Sequence, residues 1–278
     1  MTFKTILTIT GPELGNGDLR LAAALCEESG AHLSVLVMAF AAPPPGGEYA
    51  AMVSDVWLAQ REEDLKELQR RTTSISEFLA SSAISRDLSS EYKDVAWADD
   101  AIGRRGRYAD LTVVGPEMLS REVLREKVLD GALFSSGRPM LLLPNGSKPT
   151  LNPKRVMVAW DTSLEASRAV RASLEVLAAA DEVRVVLVDP VETERGHGAE
   201  PGADIASYLV RHRAKVVVDR LPSEGHSVAA TLRRHATDAA ADFLVMGGYG
   251  HSRLRERIFG GVTQSMLDSP ALPTLIAR

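Results

Sequence analysis

Cysteine is nearly absent: Cys26 is the only one in 278 residues. An internal disulfide is therefore excluded, and the composition fits a reducing compartment. Cys26 closes the run Leu21-Ala22-Ala23-Ala24-Leu25-Cys26, where it reads as a small buried apolar residue rather than a reactive thiol. No apolar run is long enough to cross a bilayer, and Met1-Thr2-Phe3-Lys4-Thr5 leads directly into a strand-like segment. Neither a signal peptide nor a membrane partner is expected, and the expected location is cytoplasmic. There is no basic run either, and the formal net charge is −5, which argues against nucleic acid as the main partner. His197, His212, His226 and His235 lack metal-ligand spacing and read as surface or helix-face residues, so no metal site is expected. No Gly-Lys-Ser/Thr occurs after a glycine loop, which excludes a P-loop. No Gly-x-Gly-x-x-Gly opens a strand–helix pair, which disfavours a dinucleotide enzyme.

What the chain does have is the composition of an ordinary globular protein, with 45% hydrophobic and 25% charged residues. Its length allows one large α/β domain or two small ones. Short β-branched runs alternate with helical patterns. Strands are expected at residues 5–10, 33–38, 86–91, 109–115 and 139–144. Between them, Asp18 reads as a helix cap, a long amphipathic helix covers about residues 49–80, another covers 94–107, and Gly131 reads as a helix start. Pro- and Gly-rich residues 145–153 form a linker. Then the pattern repeats. Arg155 to Trp160 reads as a strand, Thr162-Ser163-Leu164-Glu165 has the form of a capping box, and further strands fall at 183–188, 215–218, 243–246 and 273–277. Ala109-Asp110-Leu111-Thr112-Val113-Val114-Gly115 matches Ala241-Asp242-Phe243-Leu244-Val245-Met246-Gly247 in character, position by position. The expected architecture is two doubly wound, five-stranded parallel-sheet domains in tandem, residues 1–146 and 153–278.

The chemistry concentrates after residue 241. A buried strand ends in Gly247-Gly248-Tyr249-Gly250, a charged loop follows, and Gly260-Gly261-Val262-Thr263 can open a helix. Glycines admit close backbone approach to an anion, and a helix N-terminus offers unpaired N–H groups and partial positive charge. Gly247-x-x-Gly250, nine residues, then Gly260 resembles the G-x2-G-x9-G-[S/T] signature of the ATP-binding universal stress proteins. Here Gly261 stands in place of the family's Ser/Thr, with Thr263 the nearest hydroxyl. Val156-Met157-Val158-Ala159-Trp160-Asp161 resembles the family's first strand, and the two halves together resemble its tandem class. The resemblance implies a Rossmann-like fold akin to the adenine nucleotide α-hydrolases, with ATP or another adenine nucleotide as ligand, with or without Mg²⁺. It also implies residue roles. Ala159 and Asp161 would border the adenosine, Val188 would touch adenine, and Met246 would lie beneath it. Gly247, Gly250, Gly260, Gly261 and Val262 would offer amides to phosphates, with Thr263, His251 and Arg253 nearby. It further implies edge-to-edge pairing of the fifth strands, Met140 to Leu143 with Thr274 to Ala277, and leaves room for a homodimer.

In the first half the matching turn is Gly115-Pro116-Glu117-Met118. Pro116 removes an N–H, Glu117 adds negative charge, and Met118 brings a side chain, so a degenerate, structural or regulatory domain is expected there. The function implied is a regulatory stress-response protein that binds a nucleotide, without catalytic residues. The alternatives are a slow ATPase and a protein-interaction scaffold with a decayed site.

Overall fold

Thr5–Thr10 is rich in β-branched residues and forms β1, the strand about which the first of two units is built. The computed structural model describes residues 3–41, 55–191, 199–249 and 261–278. The chain divides into units Phe3–Ser136 and Gly137–Arg278. In the N-terminal unit β1 is followed by α1 (Gly17–Ser29), β2 (His32–Ala41), α2 (Asp55–Ala80), β3 (Arg86–Asp94), α3 (Ala98–Gly106), β4 (Leu111–Val114), α4 (Pro116–Leu119) and α5 (Glu122–Asp130). Its strands run in the order β3-β2-β1-β4, all parallel. β1, β2 and β4 are buried almost throughout, as a parallel sheet covered on both faces requires.

Three local expectations change here. Asp18 is not a cap: it lies inside the first turn of α1, whose N-cap Asn16 makes no side-chain capping bond. Gly131 does not start the α-helix of this segment. α5 begins at Glu122, and Gly131 opens a π-helical turn, Gly131–Ser135. A Cβ at residue 131 would sit 2.7 Å from the Asp99 carbonyl oxygen and 2.8 Å from the Ile102 side chain. Close packing against α3 is what selects that glycine. In α2, Leu68, Ile75 and Leu79 are buried while Leu65 is exposed, so its apolar stripe is narrower than the sequence suggests. Residues 49–54 of that expected helix lie outside the described residues.

The C-terminal unit contains β5 (Met140–Leu142), β6 (Arg155–Ala159), α6 (Leu164–Ala172), α7 (Leu174–Ala179), β7 (Glu182–Val188), α8 (Ala203–Arg211), β8 (Val216–Leu221), α9 (Val228–Asp238), β9 (Phe243–Gly247), α10 (Gly261–Asp268) and β10 (Thr274–Ala277). Its strand order is β5-β10-β9-β6-β7-β8. Every pair is parallel except β5–β10, which is antiparallel with Met140 opposite Ile276 and Leu142 opposite Thr274. The unit boundary at Ser136 therefore precedes β5, whose backbone bonds with β10 group it with the C-terminal strands. From β6 the order runs through β7 and β8 on one side and through β9 and β10 on the other. That reversal places a crevice at the carboxyl ends of β6 and β9. Both units are α/β and Rossmann-like. No helix among the described residues is long and apolar enough to cross a membrane.

Candidate functional site

The carboxyl ends of β6, β7 and β9 carry most of the described candidate residues. Register pairs Ala159 with both Val186 of β7 and Met246 of β9, so Ala159 and Met246 stand side by side at the crevice. Met246 is buried, while Ala159 and Val188 are half-buried. Val188 ends β7 opposite Leu221. Trp160 prolongs β6 by donating its N–H to the Val186 carbonyl at 2.9 Å, and Asp161 follows, exposed.

Asp161 also explains why the expected capping box fails. Its Oδ1 accepts the Ser163 N–H at 3.0 Å, an Asx turn that throws Thr162 to φ 64°. Ser163, not Thr162, then takes the extended cap geometry, and its Oγ accepts the Ala166 N–H at 3.1 Å. The start of α6 is thereby fixed beside β9.

The glycines after β9 divide into different roles. Gly247 is the last residue of β9, opposite Ala277, and a Cβ there would be 2.4 Å from the Ala166 nitrogen. Strand–helix packing alone demands glycine at that position. The Gly248 N–H goes to the Ala277 carbonyl at 2.9 Å, and the Tyr249 N–H goes to Thr263 Oγ1 at 3.3 Å. Thr263 is buried and acts as a strut between this turn and α10. Gly261 is different: it is exposed at the first position of α10, and among the described residues nothing lies within 4 Å of where its Cβ would be. With Val262 it forms the first turn of α10, where unpaired helix amides and partial positive charge favour an anion. Gly250, His251, Arg253 and Gly260 lie outside the described residues.

The corresponding corner of the N-terminal unit is filled from within. Gly115 follows β4, and a Cβ on it would lie 2.3 Å from Asp18 Oδ1. Asp18 is buried, and its carboxylate accepts the N–H groups of Glu117 at 3.1 Å and Met118 at 2.8 Å. Burial pushes the Asp18 carboxyl above its ordinary range, opposed by these two amides and reinforced by the Glu117 charge. Glu117 Oε1 in turn accepts the Gly17 N–H at 3.0 Å, and Arg71 holds the same loop through Asn16 Oδ1 at 2.9 Å. The amides that would cradle an external anion hold an internal carboxylate instead. The sequence gives Pro116 and Glu117 as obstacles but not Asp18, whose partners lie about a hundred residues away.

Other titratable groups lie outside both corners. Burial, reinforced by Glu27, pushes the Cys26 thiol up to about 12 and leaves it unreactive. His235 Nε2 lies 2.8 Å from Asp219, which also accepts from Arg184 at 3.1 Å; this pins α9 to β8 and β7. Among the described residues no group of three or more His, Cys, Asp and Glu is arranged to hold a metal.

Residues 152–278 match the model of the universal stress protein family. No curated protein matches the sequence. Among solved structures, a universal stress protein from Archaeoglobus fulgidus DSM 4304 aligns with a TM-score of 0.67 at 15% identity, covering 100% of this chain and 97% of its own. A protein of unknown function from Pseudomonas aeruginosa PAO1 aligns with a TM-score of 0.58 at 15% identity, covering 99% and 92% respectively. At such identities the likeness is one of fold.

Proposed function

Residues 152–278 form a universal stress protein domain, and from that premise we propose that the C-terminal unit binds an adenine nucleotide, ATP foremost, as a regulatory binding protein of the cytoplasm. One observation carries the reading. The strand-end rim of the matched domain combines Asp161, the Ala159–Met246 pair and the open first turn of α10 at Gly261. The adenosine lies against Ala159, Met246 and Val188 in this reading, with Asp161 alongside. The phosphates take the amides of Gly261 and Val262, and Mg²⁺ supplies the counter-charge in solution. Gly247 and Thr263 support the rim rather than touch the ligand. Binding rather than turnover is the role, because the groups that support it are backbone donors and a carboxylate already engaged in a turn.

Calorimetry with Mg·ATP tests the proposal. The unmodified protein should give a saturable heat. Gly261→Glu places a negative charge at the helix N-terminus, which favours the helix but repels phosphate. It should keep or slightly raise the thermal midpoint while weakening ATP by roughly 100-fold, equivalent to about 2.7 kcal/mol. Asp161→Ala should weaken it about tenfold. No heat with the unmodified protein rejects the function; full affinity in Gly261→Glu rejects the site.

A further inference from the structure

The N-terminal unit contains a cavity of its own at the carboxyl ends of β1 and β2, with a volume of about 400 Å³. That is the size of a small-ligand site. Its floor is apolar and buried, formed by Leu14, Met38, Ala39 and Leu124. Gly11, directly after β1, keeps it open: a Cβ there would already stand 3.1 Å from the Leu124 side chain.

The rim is predominantly acidic. Among the described residues it is lined by four carboxylates, Glu13, Asp64, Glu67 and Glu122, and by one guanidinium, that of Arg121. Arg121 is held by Glu13, with Nη1 3.5 Å from its carboxylate and Nη2 donating to its carbonyl at 3.3 Å. Asp64 accepts from the Tyr92 hydroxyl at 2.9 Å and from Gln60 at 2.8 Å. Glu67 and Glu122 are exposed, and among the described residues neither is ion-paired. Four carboxylates against one guanidinium leave the rim at −3. The anion corner of the same unit is meanwhile taken by the Asp18 carboxylate. A phosphate-bearing ligand meets repulsion at the rim and no free cradle behind it. An apolar body with one positive end meets an apolar floor and two carboxylates without cationic partners.

We propose that the N-terminal unit binds a small organic cation, a protonated amine on a compact apolar body, with the apolar part on Leu14, Met38 and Leu124 and the ammonium facing Glu67 and Glu122. The duplicated fold then has two pockets of opposite preference, a cation in the first unit and a nucleotide in the second. This inference does not depend on nucleotide binding.

A charge series of one shape tests it. The full chain, with methyl-labelled methionine, is titrated by NMR with phenethylammonium, phenethyl alcohol and 3-phenylpropionate. The expected result is a saturable shift of the Met38 methyl with the amine, a weaker one with the alcohol and none with the carboxylate. Raising salt should weaken the amine alone. The double variant Glu67→Lys/Glu122→Lys changes two exposed helical positions and should leave the spectrum folded. It should weaken the amine about tenfold or more while sparing the alcohol. No Met38 response to the amine, equal binding of amine and carboxylate, or an unchanged amine affinity in the double variant overturns the proposal.

Discussion

At the scale of single residues, Asp18 separates the two units. A buried carboxylate tolerates its site only if its oxygens are satisfied, and Asp18 meets that condition with the Glu117 and Met118 amides. Its folded-state affinity for a proton is nonetheless raised, with burial the largest cause. The folded chain therefore carries more protons than the unfolded one just above the usual carboxylate range. This group's contribution to stability is fully present below that interval and is lost as pH rises through it. Asp130, also raised by burial and by Glu126 and Asp99, adds a slope of the same sign. Asp18→Asn keeps one acceptor but aims an NH₂ group at the second amide. Orphaning that amide costs about 1–3 kcal/mol, partly offset by loss of a desolvated charge. The expected outcome is a lower denaturation midpoint at pH 7 and a shallower decline as pH rises above the usual carboxylate range than in the unmodified protein. Denaturant curves across pH for both proteins check it, and parallel profiles would sink the assignment. Nothing local to Asp18 announces this role; the partner amides come from chain a hundred residues away. The glycines after β9 were legible as a group, but sorting Gly247, fixed by packing against α6, from Gly261, open to solvent, needed the packed structure.

Elements were legible in proportion to how locally they are determined. The β-branched runs became strands almost where periodicity puts them, because burial between two helical layers selects such runs directly. Helix starts were harder. Thr162-Ser163 offers two adjacent hydroxyl caps, and propensity cannot rank them. The ranking comes from Asp161, whose carboxylate captures the Ser163 amide and forces Thr162 to φ 64°. Ser173 likewise stands where α6 ends and α7 begins: its Oγ donates to the Ala169 and Val170 carbonyls at 2.8 and 3.1 Å. Two expectations follow at this scale. Ser163→Ala removes the bond to the Ala166 amide and should cost about 1 kcal/mol, read from the unfolding midpoint. Thr162→Ala leaves that cap intact and should cost only a few tenths of a kcal/mol, since Thr162 is exposed and both residues are disfavoured at positive φ. Equal costs for the two variants would restore Thr162 as the cap.

At the scale of the whole chain, the repeat in the sequence reads correctly as two α/β units, but it does not say which unit claims the strand between them. Residues 140–142 repeat residues 274–276 in character, which suggests that each fifth strand completes its own sheet. Backbone pairing also joins Met140, Leu141 and Leu142 antiparallel to Ile276, Leu275 and Thr274. All four residues from Met140 to Leu143 are fully buried, so this short strand is no loose appendage. β10 without it would present an apolar edge of unpaired N–H and C=O groups, the condition that invites association with another chain. Two fragments separate the alternatives. Residues 137–278 keep β5, while residues 153–278 match the boundary read from sequence and lack it. The longer fragment should unfold cooperatively, at a midpoint above that of the shorter one. The shorter should self-associate with rising concentration in sedimentation velocity. If residues 153–278 remain monomeric and as stable as residues 137–278, β5 is dispensable to the C-terminal sheet, and the edge of β10 is protected by its own residues.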